Sequence, residues 1–146
     1  MGSIKSLGSE DHFVPSADKV SAENIVKLSN FTKNYGIEKH FKYGMGQYGI
    51  CHTLSHEEAL VLPGDVYVGG DSHTNTTGAL GSFACGLGHT DVAYVLLNGK
   101  IWFKVPETLY FKLNGKLPEH VMAKDLILKI IGDISTEGGA YKTMQF

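Results

Sequence analysis

Apolar positions along the chain fall into short runs punctuated by glycine, and their spacing alternates between helical and extended periods. Ile25, Val26, Leu28, Phe31 and Tyr35 recur at helical spacing between the candidate caps Ser16 or Ser21 and Gly36, which predicts an amphipathic helix. Gly49-Ile50-Cys51-His52 reads as a short buried strand, and Ser55 with Glu58 as a capping box opening a helical turn through Leu60 that Pro63-Gly64 stops. Val66-Tyr67-Val68 reads as a strand closed by Gly69-Gly70. A glycine-tolerant helix is predicted from about Gly78 to Gly86, and a second from Thr90-Asp91, with Val92, Val95 and Leu96 inward, to Asn98-Gly99. Ile101 to Val105 and Leu109 to Leu113 are strand-like around Pro106 and suit antiparallel pairing. Ala123 to Ile131 predicts a last helix with Leu126, Ile127, Ile130 and Ile131 inward, ending at Gly132. Strands alternating with helices make this an α/β layer protein with a mainly parallel sheet and flanking helices.

Composition narrows the function classes. A chain of 146 residues, 42% hydrophobic and 19% charged, suits one globular domain. The net charge of -2, without a basic run, argues against nucleic acid and anionic membranes as partners. No apolar run approaches the roughly 20 residues of a membrane span, and no signal peptide opens the chain, so a cytoplasmic protein is expected. Residues 1–10, MGSIKSLGSE, are small and polar and read as a leader, which leaves 11–146 as the domain. Cys51 and Cys85 form no C-x-x-C, as expected in a reducing compartment. All 13 basic side chains are Lys. Arg, the usual bidentate clamp for carboxylate and phosphate, is missing, which is unusual for a complete enzyme acting on a polyanion.

Three polar tips stand beside strand-like runs: Asp11-His12, His52 and Asp71-Ser72-His73. A carboxylate beside an imidazole orients a general acid or base and tunes it near neutrality, and strand ends on one sheet edge are where α/β proteins bind ligands. The three tips are therefore expected to converge at one edge of the sheet. Each pair also reads as a turn residue beside a structurally satisfied histidine. His40, His56, His89 and His120 lack a preceding apolar strand and read as surface or capping residues. Trp102-Phe103 and Tyr110-Phe111 read as core, and Cys51 as a small apolar residue rather than a nucleophile. The glycine-rich DSHTNTTGALGSFACGLG is neither G-x-G-x-x-G nor a Walker A loop, so nucleotide binding is not expected.

The segment GGDSHTNTTGALGSFACGLGHTDVAYVLLNGKIWFKVPETL, with DHFVP before it, GICH between them and AKDLILKIIG after, closely resembles the isopropylmalate dehydratase large-subunit branch of the aconitase family over about nine tenths of the chain. The homoaconitase branch is too similar in these motifs to separate. The resemblance implies a hydro-lyase that isomerises isopropylmalate in leucine biosynthesis. Such an enzyme dehydrates and rehydrates hydroxy-di- or tricarboxylic acids on a [4Fe-4S] cluster and works with a small subunit. It implies that Asp11 and His12 protonate the leaving hydroxyl, that His52 and Asp71 form a second imidazole–carboxylate pair, and that Asp71, Ser72 and His73 contact substrate and bound water. Where the family has a carboxylate partner for that last histidine, Gln145 stands here. The family's cluster cysteines, alkoxide serine and substrate-binding arginines fall beyond Phe146, and Cys51 and Cys85 match none of those ligands. The chain is thus expected to be a fragment, cluster-free and inactive alone. Two other readings are a non-catalytic module that self-associates into a homo-oligomer, and a mononuclear Zn or Fe(II) site built from His12, His52, Asp71 and His73.

Overall fold

A computed structural model describes residues 5–146. The chain divides into two compact units, the first extending to Ile101 and the second spanning Trp102–Phe146. Among the described residues the strands pair only as parallel two-stranded ladders, so the expected α/β character takes the form of small strand–crossover–strand units.

In the first unit, β1 (Leu7–Ser9) pairs with β2 (Lys39–Phe41) across helix α1 (Lys19–Asn34). The fold therefore begins before Asp11. Residues 7–10, expected to be part of a leader, supply a strand and the buried Glu10, whereas the leader reading of residues 1–4 lies outside the described residues. Glu10 can be interior here because Ser29, His40 and the Tyr43 N–H satisfy its carboxylate. Helix α1 is capped by Asp18, whose carboxylate accepts the Ser21 N–H at 2.7 Å, rather than by Ser16 or Ser21. Its buried line runs through Ser21 and Thr32, while Val26, Phe31 and Tyr35 stay exposed and Phe31 packs on Tyr35.

Gly49 to His52 is not a strand: Cys51–Glu57 forms helix α2, with Ser55 inside it donating its hydroxyl to the Cys51 carbonyl at 2.8 Å. The second ladder pairs β3 (Val66–Gly69) with β4 (Phe83–Gly86). Parallel strands need a crossover of about a dozen residues. Here it contains a 3-10 turn over Thr74–Leu80 that ends at Gly81 with φ 92. The helix expected from Gly78 to Gly86 is replaced by this turn and β4, since Gly78 and left-handed Gly81 weaken a helix there and Phe83 to Cys85 pair with β3. Helix α3 (His89–Asn98) follows as expected and ends at left-handed Gly99, but of the stripe expected inward Val92 and Val95 are half-buried and Leu96 is exposed.

In the second unit, β5 (Glu107–Tyr110) pairs in parallel with β6 (Lys142–Gln145) through helix α4 (Ala123–Ile134). Ile101 to Val105 is outside the ladder and antiparallel pairing does not occur; Pro106 offers no N–H, and the ladder starts immediately after it. Helix α4 runs through Gly132 and buries Ile130 most deeply, with Ile127 and Ile131 more open than expected. Trp102 and Tyr110 are 82% and 68% exposed, not core. Phe111 instead stacks on Phe146 with centroids 5.2 Å apart.

Candidate functional site

Glu10 extends the β1 ladder, its N–H donating to the Phe41 carbonyl at 3.0 Å, and the chain leaves the sheet at Asp11. There the Asp11 carboxylate divides its oxygens. Oδ2 accepts the Cys51 N–H at 2.6 Å and Oδ1 faces His12 Nδ1 at 3.0 Å. Ile50, at the N-cap of α2, has no capping side chain, so Asp11 meets one of the unpaired amides that every helix start exposes. Phe13, at φ 59, turns the chain back directly after His12.

Asp71 stands past the end of β3, in a segment folded over a pair of glycines. Gly69 and Gly86 face each other at the end of the β3–β4 ladder, and a Cβ on Gly86 would lie 2.8 Å from the Asp71 carbonyl oxygen. That carbonyl accepts the Thr74 hydroxyl at 2.6 Å, and Asn75 Oδ1 accepts the Gly86 N–H at 3.3 Å. The fixed Asp71 carboxylate then gathers the histidines. Oδ1 accepts from His52 Nε2 and from the His73 backbone N–H, both at 2.7 Å, and Oδ2 lies 3.3 Å from His12 Nε2. His73 Nδ1 is 3.6 Å from Oδ1 and 3.2 Å from the Ser72 hydroxyl. All six residues expected at the site are thus together, joined by an alternating chain Asp11–His12–Asp71–His52. The expected geometry needs one correction: two strand ends and the first turn of a helix deliver them, not three strand tips.

His40 and His56 also depart from their expected surface roles. His56 Nε2 donates to the Thr77 carbonyl at 3.1 Å, and His40 is tied to Glu10. His89 and His120 are exposed.

Charge is unevenly held in this chain of groups. Burial raises the Asp11 carboxyl, but the Cys51 amide and the His12 ring outweigh it and keep the group below its ordinary value. Asp71 is held low chiefly by the His73 amide and then by His52. The hydrogen bond to Asp11 pushes His12 above 6.5, against partial desolvation. His12 therefore contributes stability fully below its unfolded value, and that contribution disappears as pH rises through the higher folded value. The two carboxylates contribute above their ordinary range and lose their part as pH falls through the folded values. A 15N-histidine titration is expected to place the His12 midpoint above 6.5; a midpoint at or below it would contradict the carboxylate clamp.

The His52 Nδ1 atom is buried with no hydrogen-bond partner among the described residues, while Nε2 lies 2.7 Å from Asp71 Oδ1. Beside Asp71 lies an open cleft of about 350 Å³ lined by Ser72, Asn75, Cys85, Gly86 and Leu87. The donor set does not fit the iron-sulfur cluster that the family resemblance implies. Such clusters need several thiolates, whereas burial first, then Asp11, pushes the Cys51 thiol up to about 12, and burial also raises Cys85. Among the described residues no three His, Cys, Asp or Glu side chains are arranged to hold a metal ion. His12 Nε2 and His52 Nε2 face Asp71 oxygens rather than a common centre.

The chain is 50% identical over 137 residues to the 3-isopropylmalate dehydratase large subunit of Heliobacterium modesticaldum, covering 94% of this chain and 32% of that protein. The large subunits of Caldanaerobacter subterraneus and Aquifex aeolicus are 52% and 48% identical over 93% and 92% of the chain, and the matches cover 32% and 31% of their own lengths. The chain thus spans about a third of the length of the curated relatives it matches. Residues 4–146 match the aconitase (aconitate hydratase) family throughout, and the chain belongs to that family.

Proposed function

We propose that this chain supplies the proton-transfer face of a hydro-lyase large subunit that dehydrates and rehydrates a hydroxy-dicarboxylic acid of the isopropylmalate type, acting in the cytoplasm with a small subunit. The observation that carries the proposal is Asp71 bridging two imidazoles, His12 and His52, while Asp11 holds the other nitrogen of His12. Removal of water from a hydroxy acid requires a proton on the departing oxygen, and readdition requires its return. His12 has the right character for that exchange. The hydrogen bond to Asp11 raises its proton affinity above the ordinary imidazole value, and its side chain is 59% exposed, so an incoming hydroxyl can reach it. His52 and the His73 amide hold Asp71 ionised, and Asp71 keeps both imidazoles oriented. Ser72 and His73, at the exposed rim, are the groups for a substrate carboxylate or its bound water. A chain with no Arg leaves tight clamping of two carboxylates to other segments of the enzyme.

The test is a hybrid. The matching third of the Heliobacterium modesticaldum large subunit is exchanged for residues 4–146 and combined with the small subunit, and isopropylmalate dehydration is followed by absorbance of the alkene product. Turnover is expected in the hybrid and not in the 146-residue chain alone. A folded, assembled hybrid without turnover on either isopropylmalate or homologous hydroxy acids would overturn the proposal.

A further inference from the structure

Directly before the Asp11-His12 pair, and outside the proposed proton-transfer groups, lies a carboxylate that is 1% exposed: Glu10. A buried carboxylate is tolerated only where donors surround it, and those of Glu10 come from three separate segments. Oε1 accepts the Ser29 hydroxyl of α1 at 2.8 Å and His40 Nε2 of β2 at 2.9 Å, and Oε2 accepts the Tyr43 backbone N–H at 3.1 Å. A second layer secures the imidazole, since His40 Nδ1 meets the Thr32 hydroxyl at 3.0 Å.

We propose that Glu10 is a positioning residue for Asp11, fixing the register in which β1 ends and so the face on which Asp11 meets Cys51 and His12. Successive strand residues point to opposite faces, and a slip of one position would exchange them. In the observed register Gly8 lies opposite His40 and Ser9 opposite Phe41. Any slip would withdraw the Glu10 carboxylate from all three donors at once. Gly8 restricts the register independently: a Cβ there would come 2.7 Å from the Thr32 methyl, so β1 fits against α1 only with glycine at that position. With Glu10 locked inward, Asp11 is carried to the other side, where its Oδ2 reaches the Cys51 N–H at 2.6 Å and His12 Nε2 comes within 3.3 Å of Asp71.

The hydro-lyase reading gives the Asp11-His12 pair its importance, so the test avoids turnover and its failure is separate from failure of that reading. Glu10→Gln keeps size and one acceptor but turns an amide donor toward another donor. In the full 146-residue chain, NMR is expected to show the Cys51 amide exchanging at least about tenfold faster and the His12 midpoint falling toward 6.5, while the α1 and α4 amides keep their protection. Unchanged Cys51 and His12 signals in a folded Glu10→Gln chain would overturn the proposal. If that variant does not fold, Ser29→Ala, which leaves the carboxylate and two of its donors, is read the same way. Movement of both signals in the same direction supports the proposal, and no movement overturns it.

Discussion

Replacing Asp71 by Asn in the hybrid enzyme is expected to lower kcat by about 10²- to 10⁴-fold, the range of a general acid–base contribution, without unfolding the site. An amide has one acceptor where the carboxylate has two. The Asn oxygen in place of Oδ1 can still accept from the His73 N–H and His52 Nε2, which keeps the loop closed. The amide nitrogen then replaces Oδ2, and it confronts His12 Nε2 as a second donor. His12 loses one of the two carboxylates that raise its proton affinity, so the loss should appear in kcat more than in KM, with the alkaline limb of the rate profile moved to lower pH. A folded Asp71→Asn hybrid turning over within about threefold of its parent would refute the proton-transfer role.

That bridging role was only half legible in the sequence. Asp11-His12 and Asp71-Ser72-His73 each place a carboxylate beside an imidazole in consecutive positions, so their chemistry can be read locally. Nothing local shows that one Asp71 carboxylate serves both His12 and His52. Helix α2 escaped for a related reason: the residue before it is Ile50, and the acceptor for its first amide is Asp11, 40 positions away. Glu10 is the clearest case of a missed group. In Gly-Ser-Glu it looks like solvent-facing polarity, and its burial depends on Ser29 and His40, which no pattern of neighbours links to it. Trp102 and Tyr110 fail in the opposite direction, because an apolar run states a preference for burial without supplying the layer that would cover it.

Gly86→Ala is expected to destabilise the first unit by about 1–3 kcal/mol, the usual range for inserting a methyl group where no space exists, and to displace Asp71 as it does so. The new Cβ would stand 2.8 Å from the Asp71 carbonyl oxygen and 3.9 Å from the Ser72 Cα. A clash with a flexible side chain could be relieved by a rotamer change, but this one is with backbone. The same carbonyl is held by the Thr74 hydroxyl and amide, at 2.6 and 3.2 Å, and Thr74 is itself buried. The strand cannot easily retreat either, because the Leu87 N–H donates to the Gly69 carbonyl at 2.8 Å. Strain therefore passes into residues 71–74, the segment that aims Asp71 at His52. Gly132→Ala in the interior of α4, where an added Cβ meets nothing within 4 Å, should have the opposite sign and gain about 0.5–1 kcal/mol from helix propensity. Amide exchange in β4 and in α4 separates the two effects, and the His52 ring signals report the displacement. Equal stability of the Gly86→Ala and parent chains in β4, with His52 unmoved, would show that the glycine pair does not set the position of Asp71.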